Sequence, residues 1–323
     1  MRAIVMQRVG GPDVLELAEV PAPAPKAGEV LVEIHATGVN FAETETRRAR
    51  YRPTPLPWIL GSEGAGVVIG TGADVDPTWR GRRVALYASP PAVSGTYAEL
   101  ATCPATALMA LPDGLDFITG AAILAQGLTA YLLVHRAARI RADQVVLIHA
   151  AAGGVGLLAV QLARRIGARV LGTVSSDAKA QAVRDVGGEP LRHGDDLVEL
   201  VHALTGGRGV DVVLDSIGLP TQSASLGMLA PFGELVHFGD AGGFPAPFDP
   251  NDLYARSLKI SAFGLDERHD ALLAAQARRD LVAWAADGSL RFRIHRTLPL
   301  AEAAEAHRLI ESRKTSGKLV LTR

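Results

Sequence analysis

The sequence predicts an α/β chain of two domains, one β-barrel-like and one built on a doubly wound parallel sheet. Three observations carry the prediction. Before residue 120, short apolar runs bounded by Gly and Pro follow one another at residues 64–70, 83–87 and 96–102, a spacing typical of a barrel. After it, strands alternate with helices. A length of 323 residues, 48% of them hydrophobic, exceeds what one domain usually holds and supplies two cores.

The parallel sheet is organised around one stretch. The β-branched run Val145 to Ile148 reads as a buried parallel strand, and Val155 to Ile166 carries apolar residues at helical spacing. Between them lies a turn of small residues. Gly153 and Gly154 let the backbone bend and approach a ligand, and Gly156 lets helix and strand pack closely. The helix start then aims unpaired N–H groups outward, which favours a pyrophosphate. Ala152, Gly153, Gly154, Val155 and Gly156 are therefore the expected dinucleotide cradle, although Ala151 stands where the usual fingerprint has its first glycine.

Gly167 ends that helix, and residues 168–174 form a second strand that completes the unit. Sites that prefer NAD place a carboxylate at the end of this strand to hold the ribose hydroxyls. Here Val174, Ser175 and Ser176 occupy the place, and Lys179 follows where an ammonium meets a 2′-phosphate. The pattern points to NADP(H). Asp177 is either a displaced ribose ligand or the N-cap of a helix over residues 178–186.

Residues 211–218, 233–239 and 258–264 read as three further buried strands, bringing the sheet close to six. Ligands in an open parallel sheet bind beyond the carboxyl ends of the strands, so Ser216, Gly218, Phe238, Gly239 and Phe263 are expected around the cofactor. The remaining elements are a hairpin over residues 2–5 and 14–18, an alternating strand over 29–35, and an apolar helix over 120–138. The tail adds helices over 270–287 and 300–312 and a terminal strand over 317–321, expected to pair with the open barrel edge.

Composition removes several classes. With 33 basic and 34 acidic residues the net charge is −1, which offers no footprint for nucleic acid or an anionic membrane. The single cysteine, Cys103, forms no internal disulfide and suits a reducing compartment. The N-terminus lacks a signal-peptide core and no apolar run reads as long enough to cross a bilayer, so a cytoplasmic location is expected.

The motifs Gly38-Val-Asn-Phe41, Leu60-Gly-Ser-Glu-Gly-Ala-Gly-Val67, Gly127-Leu-Thr-Ala-Tyr131, Ala150-Ala-Ala-Gly-Gly-Val-Gly156, Asp215-Ser-Ile-Gly218 and Gly317-Lys-Leu-Val320 span nearly the whole chain. In that order they resemble the zinc-independent quinone oxidoreductases of the medium-chain dehydrogenase/reductase superfamily, the group that includes zeta-crystallin. The resemblance implies a GroES-like catalytic domain over residues 1–120, a Rossmann domain over 121–264, and a return segment over 265–323 that completes the first. It also implies NADPH as cofactor and, commonly, a homodimer. Asn40 and Thr129 match positions near the nicotinamide, Lys179 the lysine on the 2′-phosphate, and Arg313 a C-terminal arginine near the cofactor. His193 stands where the family usually has a tyrosine beside the adenosine phosphate, and Glu45 where an aromatic lies near the substrate mouth.

Zinc-bearing relatives place a cysteine where Asn40 stands and a histidine where Ser62 stands, and the nine histidines here are dispersed without ligand spacing. No metal is expected. Without a Lewis acid the hydride acceptor must already be electron-poor, a quinone or a conjugated alkene. Asn40 is the expected donor to the oxygen on which charge grows, and Tyr51 the expected second donor or proton source. Glu63 is expected to hydrogen-bond its own turn. Three activities fit: quinone reduction, reduction of an enone or 2-enoyl thioester, and an RNA-binding or structural role that holds NADPH with little catalysis.

Overall fold

Alternation of apolar and polar residues builds the first strands. β1 (Arg2–Met6) and β2 (Leu15–Glu19) form the expected antiparallel hairpin, and β3 (Glu29–Val39) alternates half-buried and buried side chains from Glu29 to Ala36. There follow α1 (Phe41–Arg47), β4 (Trp58–Ile59), β5 (Glu63–Thr71), β6 (Arg83–Tyr87), β7 (Leu100–Pro104), β8 (Leu108–Ala110) and α2 (Phe117–Leu132). This computed structural model describes residues 1–50, 53–88 and 93–323.

The βα rhythm then sets in with β9 (Val145–Ile148), α3 (Gly154–Ile166), β10 (Arg169–Val174), α4 (Asp177–Arg184), β11 (Glu189–Arg192) and α5 (Leu197–Leu204). It continues through β12 (Val210–Asp215), α6 (Gln222–Met228), β13 (Leu229–His237), α7 (Asn251–Tyr254) and β14 (Lys259–Ala262). The tail adds α8 (Ala271–Ala286), β15 (Ile294–Pro299), α9 (Ala303–Glu311) and β16 (Lys318–Thr322).

Two units result, Met1–Leu128 with Ala275–Arg323, and Thr129–Ala274. Both changeovers fall inside long helices, α2 and α8. In the first unit a sheet in the order β15-β16-β3-β5-β6-β8 has β7 added on β3, beside a small sheet β2-β1-β4. The terminal strand was expected at an open edge. It lies inside the sheet, parallel to β15 and antiparallel to β3, because β15, whose polar residues 295–297 hide it in the sequence, covers its outer side. Ile4, Met6, Val39, Leu60, Leu298, Leu319 and Leu321 share one core, so both ends of the chain are held in this unit.

The second unit is a six-stranded parallel sheet in the order β11-β10-β9-β12-β13-β14. The order reverses direction between β9 and β12, which opens a crevice at their carboxyl ends. Its core row, Leu171, Leu147, Val213 and Leu235, runs straight across four strands and is fully buried. The chain is an α/β protein with a GroES-like barrel unit and a Rossmann sheet.

One expectation is corrected. Phe117–Ala137, α2 with the π-turn that continues it, is long and apolar enough to cross a membrane by length and composition. Its side chains are mostly buried in the protein, and a helix covered on most sides is apolar nearly all round.

Candidate active site

The first unit gathers its charged chemistry at the end of β3. Asn40 begins α1, and the Asn40-x-x-Glu43 spacing puts the Glu43 carboxylate back on the helix start, where Oε2 accepts the Asn40 N–H at 2.5 Å. Its Oε1 accepts from Ser62 Oγ at 2.8 Å and Ser62 N at 3.2 Å. Ser62 is half-buried; Glu43 is buried.

The next residue after Ser62, Glu63, opens β5 and is almost completely buried. It was expected to bond its own turn. Instead its Oε1 pairs with the Lys318 ammonium and accepts from Asn40 Nδ2 at 2.9 Å, and its Oε2 accepts the Ala125 N–H of α2 at 2.9 Å. Lys318 opens β16, is 1% exposed, and also donates to Asn40 Oδ1 at 2.6 Å. The pair fits because residue 38 is glycine: a Cβ there would sit 2.4 Å from Glu63 Oε1 and 2.5 Å from Lys318 Cε.

Asn40 therefore presents no idle amide. Its oxygen is held by Lys318, and its nitrogen by Glu63 and, at 3.4 Å, by Glu43. Burial pushes the Glu43 carboxyl above the ordinary carboxylate range, with Glu63 adding to it, while Lys318, the Asn40 N–H and Ser62 pull the other way. Burial, then Glu43 and Glu63, hold the Tyr97 phenol well above its usual value. Lys318, Glu43 and Ser62 escape a motif-by-motif reading of the sequence, yet two signals mark them: the capping-box spacing after Asn40, and a lysine opening an otherwise apolar strand. Tyr51, the expected second donor, lies outside the described residues, and Arg313 follows α9 in a left-handed conformation.

In the second unit, α3 starts at Gly154 with Gly153 as N-cap and no side chain capping it, so the N–H groups of its first turn face outward. At Gly156 a Cβ would lie 2.7 Å from the carbonyl oxygens of Ala150 and Ala151, so only glycine permits this closeness of helix and turn. Ser175 follows the end of β10, and Lys179 Nζ donates to its Oγ at 3.2 Å. Burial lowers the Lys179 ammonium from its ordinary value, and a phosphate beside it would offset that cost. Burial, then Lys179 and Arg192, lower His193, which places that ring near the lysine. Asp177 is not the cap: Ser176 is, accepting the Lys179 N–H at 3.3 Å, and Asp177 is exposed 3.6 Å from Arg192.

Ser216, Phe238 and Phe263 are each the first residue past a strand end, of β12, β13 and β14. Gly239 packs against Ser216, and Gly218 has φ of 89°. Thr129 stands at the other end of this unit's chain, in α2. Beneath the strand ends runs a buried polar row two residues beyond the apolar one. His149 Nδ1 and Thr173 Oγ1 lie 3.0 Å apart, His149 Nε2 and Ser225 Oγ 3.0 Å, and Ser225 donates to Asp215 at 3.2 Å. The other Asp215 oxygen accepts the N–H groups of Ile217 and Gly218, which sets the shape of the loop after β12. Among the described residues, no three His, Cys, Asp or Glu side chains are grouped to hold a metal.

Two outcomes follow. Lys318→Met leaves Glu63 buried and unpaired and lowers the unfolding free energy by about 3–5 kcal/mol in chemical denaturation, whereas Lys318→Met with Glu63→Leu recovers most of it. Equal loss in both would contradict the pairing. Burial lowers His149 to about 4, against roughly 6.5 in an unfolded chain, so the unfolded state takes up more protons between those values. Stability therefore falls as pH drops from about 6.5 toward 4, by up to roughly 1.4 kcal/mol per pH unit for this group, and His149→Gln flattens the slope.

Residues 26–113 match the family described as alcohol dehydrogenase GroES-like domain, and residues 189–321 the family described as zinc-binding dehydrogenase. The chain is 39% identical to a quinone oxidoreductase of Pseudomonas aeruginosa over 316 residues, which covers 97% of this chain and 96% of that protein. It is 36% identical to a 2-haloacrylate reductase of Burkholderia over 332 residues, covering 99% and 98%. The crystal structure of Escherichia coli quinone oxidoreductase complexed with NADPH superposes with a TM-score of 0.94 at 34% identity, covering 100% of both chains. On fold, motifs and full-length identity together, the chain belongs to the quinone oxidoreductase family of the medium-chain dehydrogenase/reductase superfamily.

Proposed function

We propose that the protein is an NADPH-dependent oxidoreductase that reduces quinones or similar electron-poor acceptors without zinc. The observation that carries the reading is the cradle of the second unit. An uncapped glycine-rich helix start is followed, at the next strand end, by Ser175 bonded to Lys179 and by no carboxylate on the strand. A relative of the same fold over its whole length is complexed with NADPH.

The residues fit the cofactor. Ala152, Gly153, Gly154, Val155 and Gly156 would hold the pyrophosphate, in the space that a Cβ on Gly156 would fill. Ser175, Lys179 and His193 would hold the 2′-phosphate. Ser216, Phe238, Gly239 and Phe263, all just past strand ends, would line its nicotinamide half together with Thr129, and the family resemblance adds Asn40 and Arg313 as cofactor contacts. When bound, NADPH supplies the hydride. The protein's part is to orient the acceptor beside Asn40, whose amide plane is locked by Lys318 and Glu63.

The same lock argues against zinc. Zinc-bearing relatives use cysteine and histidine where this chain has Asn40 and Ser62, and both of these are held by acidic side chains, Asn40 Nδ2 2.9 Å from Glu63 and Ser62 Oγ 2.8 Å from Glu43. The Lys318 ammonium, 2.6 Å from Asn40 Oδ1, would repel a divalent cation. These residues do not fit the metal, so the acceptor must be electron-poor from the start. A conjugated-alkene reductase is the second reading, favoured by the identity to 2-haloacrylate reductase.

We also propose a homodimer paired through β14, the outer, partly exposed strand of the six-stranded sheet, in a reducing cytoplasm. Cys103 suits that compartment: burial pushes its thiol up to about 12, so it stays protonated. Light scattering should give twice the 33.9 kDa chain mass, and a value at the single mass would refute the pairing.

NADPH oxidation against a panel of quinones, enones and 2-enoyl thioesters tests the reaction, with quinones expected as the fastest acceptors. Lys179→Ala should raise the Michaelis constant for NADPH about 10- to 100-fold, equivalent to about 1.5–3 kcal/mol, and leave that for NADH nearly unchanged. Equal losses with the two nucleotides would show that the lysine does not meet the 2′-phosphate.

A further inference from the structure

We propose that Ser62 hands a proton to the reduced acceptor and that the buried Glu43 carboxyl resupplies it, the two acting as a proton-delivery pair. The inference rests on the hydride-transfer reading above and assigns it the proton that reading leaves unplaced. A hydride brings two electrons and one proton to a quinone. The product is an oxyanion, and one further proton is needed to reach the hydroquinone.

Among the described residues around Asn40, the proton-bearing groups differ in what they leave behind. Lys318 is almost completely buried against Glu63, and a proton lost there would strand a carboxylate without its cation. The Tyr97 phenol is fully buried, with its oxygen 3.2 Å from His307 Nε2. Asn40 carries only an amide, already held on both sides.

Glu43 is different. A carboxylate formed there is met at once by the N–H groups of Asn40 and Ser62 and by the Ser62 hydroxyl, and the Lys318 charge acts on it. The other groups facing it are Glu63 and Tyr97, and burial together with Glu63 outweighs the favourable contacts to keep its proton on above the usual carboxylate range. Glu43 has no outlet of its own, being buried; Ser62, 2.8 Å away and half-exposed, is the outlet.

The step balances. When Glu43 is protonated, the 2.8 Å contact runs the other way, its O–H donating to Ser62 Oγ and leaving the Ser62 hydroxyl hydrogen free to turn to the product; that O–H bond breaks as the O–H bond of the product forms, and the Glu43 proton passes to Ser62 Oγ. Glu43 is left as a carboxylate accepting from Ser62. After product release a solvent proton returns through Ser62, and no further oxidant or reductant takes part.

The test uses the full-length protein and its variants. Ser62→Ala should lower turnover at least 100-fold while the Michaelis constant for NADPH stays within about 2-fold, and Ser62→Thr, which keeps the hydroxyl, should restore most of it. Wild-type turnover should fall as pH rises through the elevated Glu43 value, and Glu43→Gln should abolish that fall. Because Glu43→Gln also weakens the start of α1, an infrared difference spectrum between wild type and this variant gives a second reading: a protonated carboxylic-acid band that persists above the pH at which an ordinary glutamate ionises. Unchanged turnover and pH profile in Ser62→Ala, or their loss in Tyr51→Phe instead, would overturn the pair, and so would the absence of the band. Wild-type protein inert toward NADPH with every acceptor would sink the hydride-transfer reading itself, and the band would still decide whether Glu43 holds a proton.

Discussion

The first unit depends on a buried ion pair between Lys318 and Glu63. Two charges removed from water are costly unless they meet each other and further hydrogen bonds, and here Asn40 and the Ala125 N–H supply those bonds. The partners are 255 residues apart, so the pair also ties the last strand to β5. That requirement explains the topology: β16 must enter the sheet next to β3, where Gly38 leaves the space the pair occupies. The same contacts lock Asn40, and through it Glu43 and Ser62, into one arrangement.

The second unit meets a different constraint. Its sheet is apolar up to the row of Leu147 and Val213 and turns polar two residues later, on the same face, with His149, Thr173 and Asp215. Burial of that row demands partners, and Ser225 and Thr221 of the α6 region provide them. Asp215 then uses its second oxygen to hold the Ser216–Gly218 backbone. His237 ends the row against Phe248, buried, with neither ring nitrogen hydrogen-bonded among the described residues.

Much of this was legible in the sequence, for physical reasons. Glycine where backbone must approach backbone, as at Gly156, and β-branched runs in buried strands leave direct marks. What stayed hidden was set by distant partners. Nothing near Lys318 announces that its ammonium lies under Asn40, and nothing near Glu63 says that it leaves its turn for α2 and β16. β15 was missed because its exposed polar residues mask its pairing. Asp177 reads as either a ribose ligand or the cap of α4, and the cap is its neighbour Ser176, since serine and aspartate are both good caps and only the backbone decides between neighbours.

We propose that the Lys318 ammonium, 2.6 Å from Asn40 Oδ1, takes the place of the charge a metal would otherwise carry there. Elemental analysis of the purified protein, before and after dialysis against a chelator and with NADPH oxidation followed in parallel, tests this most directly. It predicts far less than one zinc per chain and the same activity after chelation. One tightly held zinc per chain, lost together with activity, would contradict it.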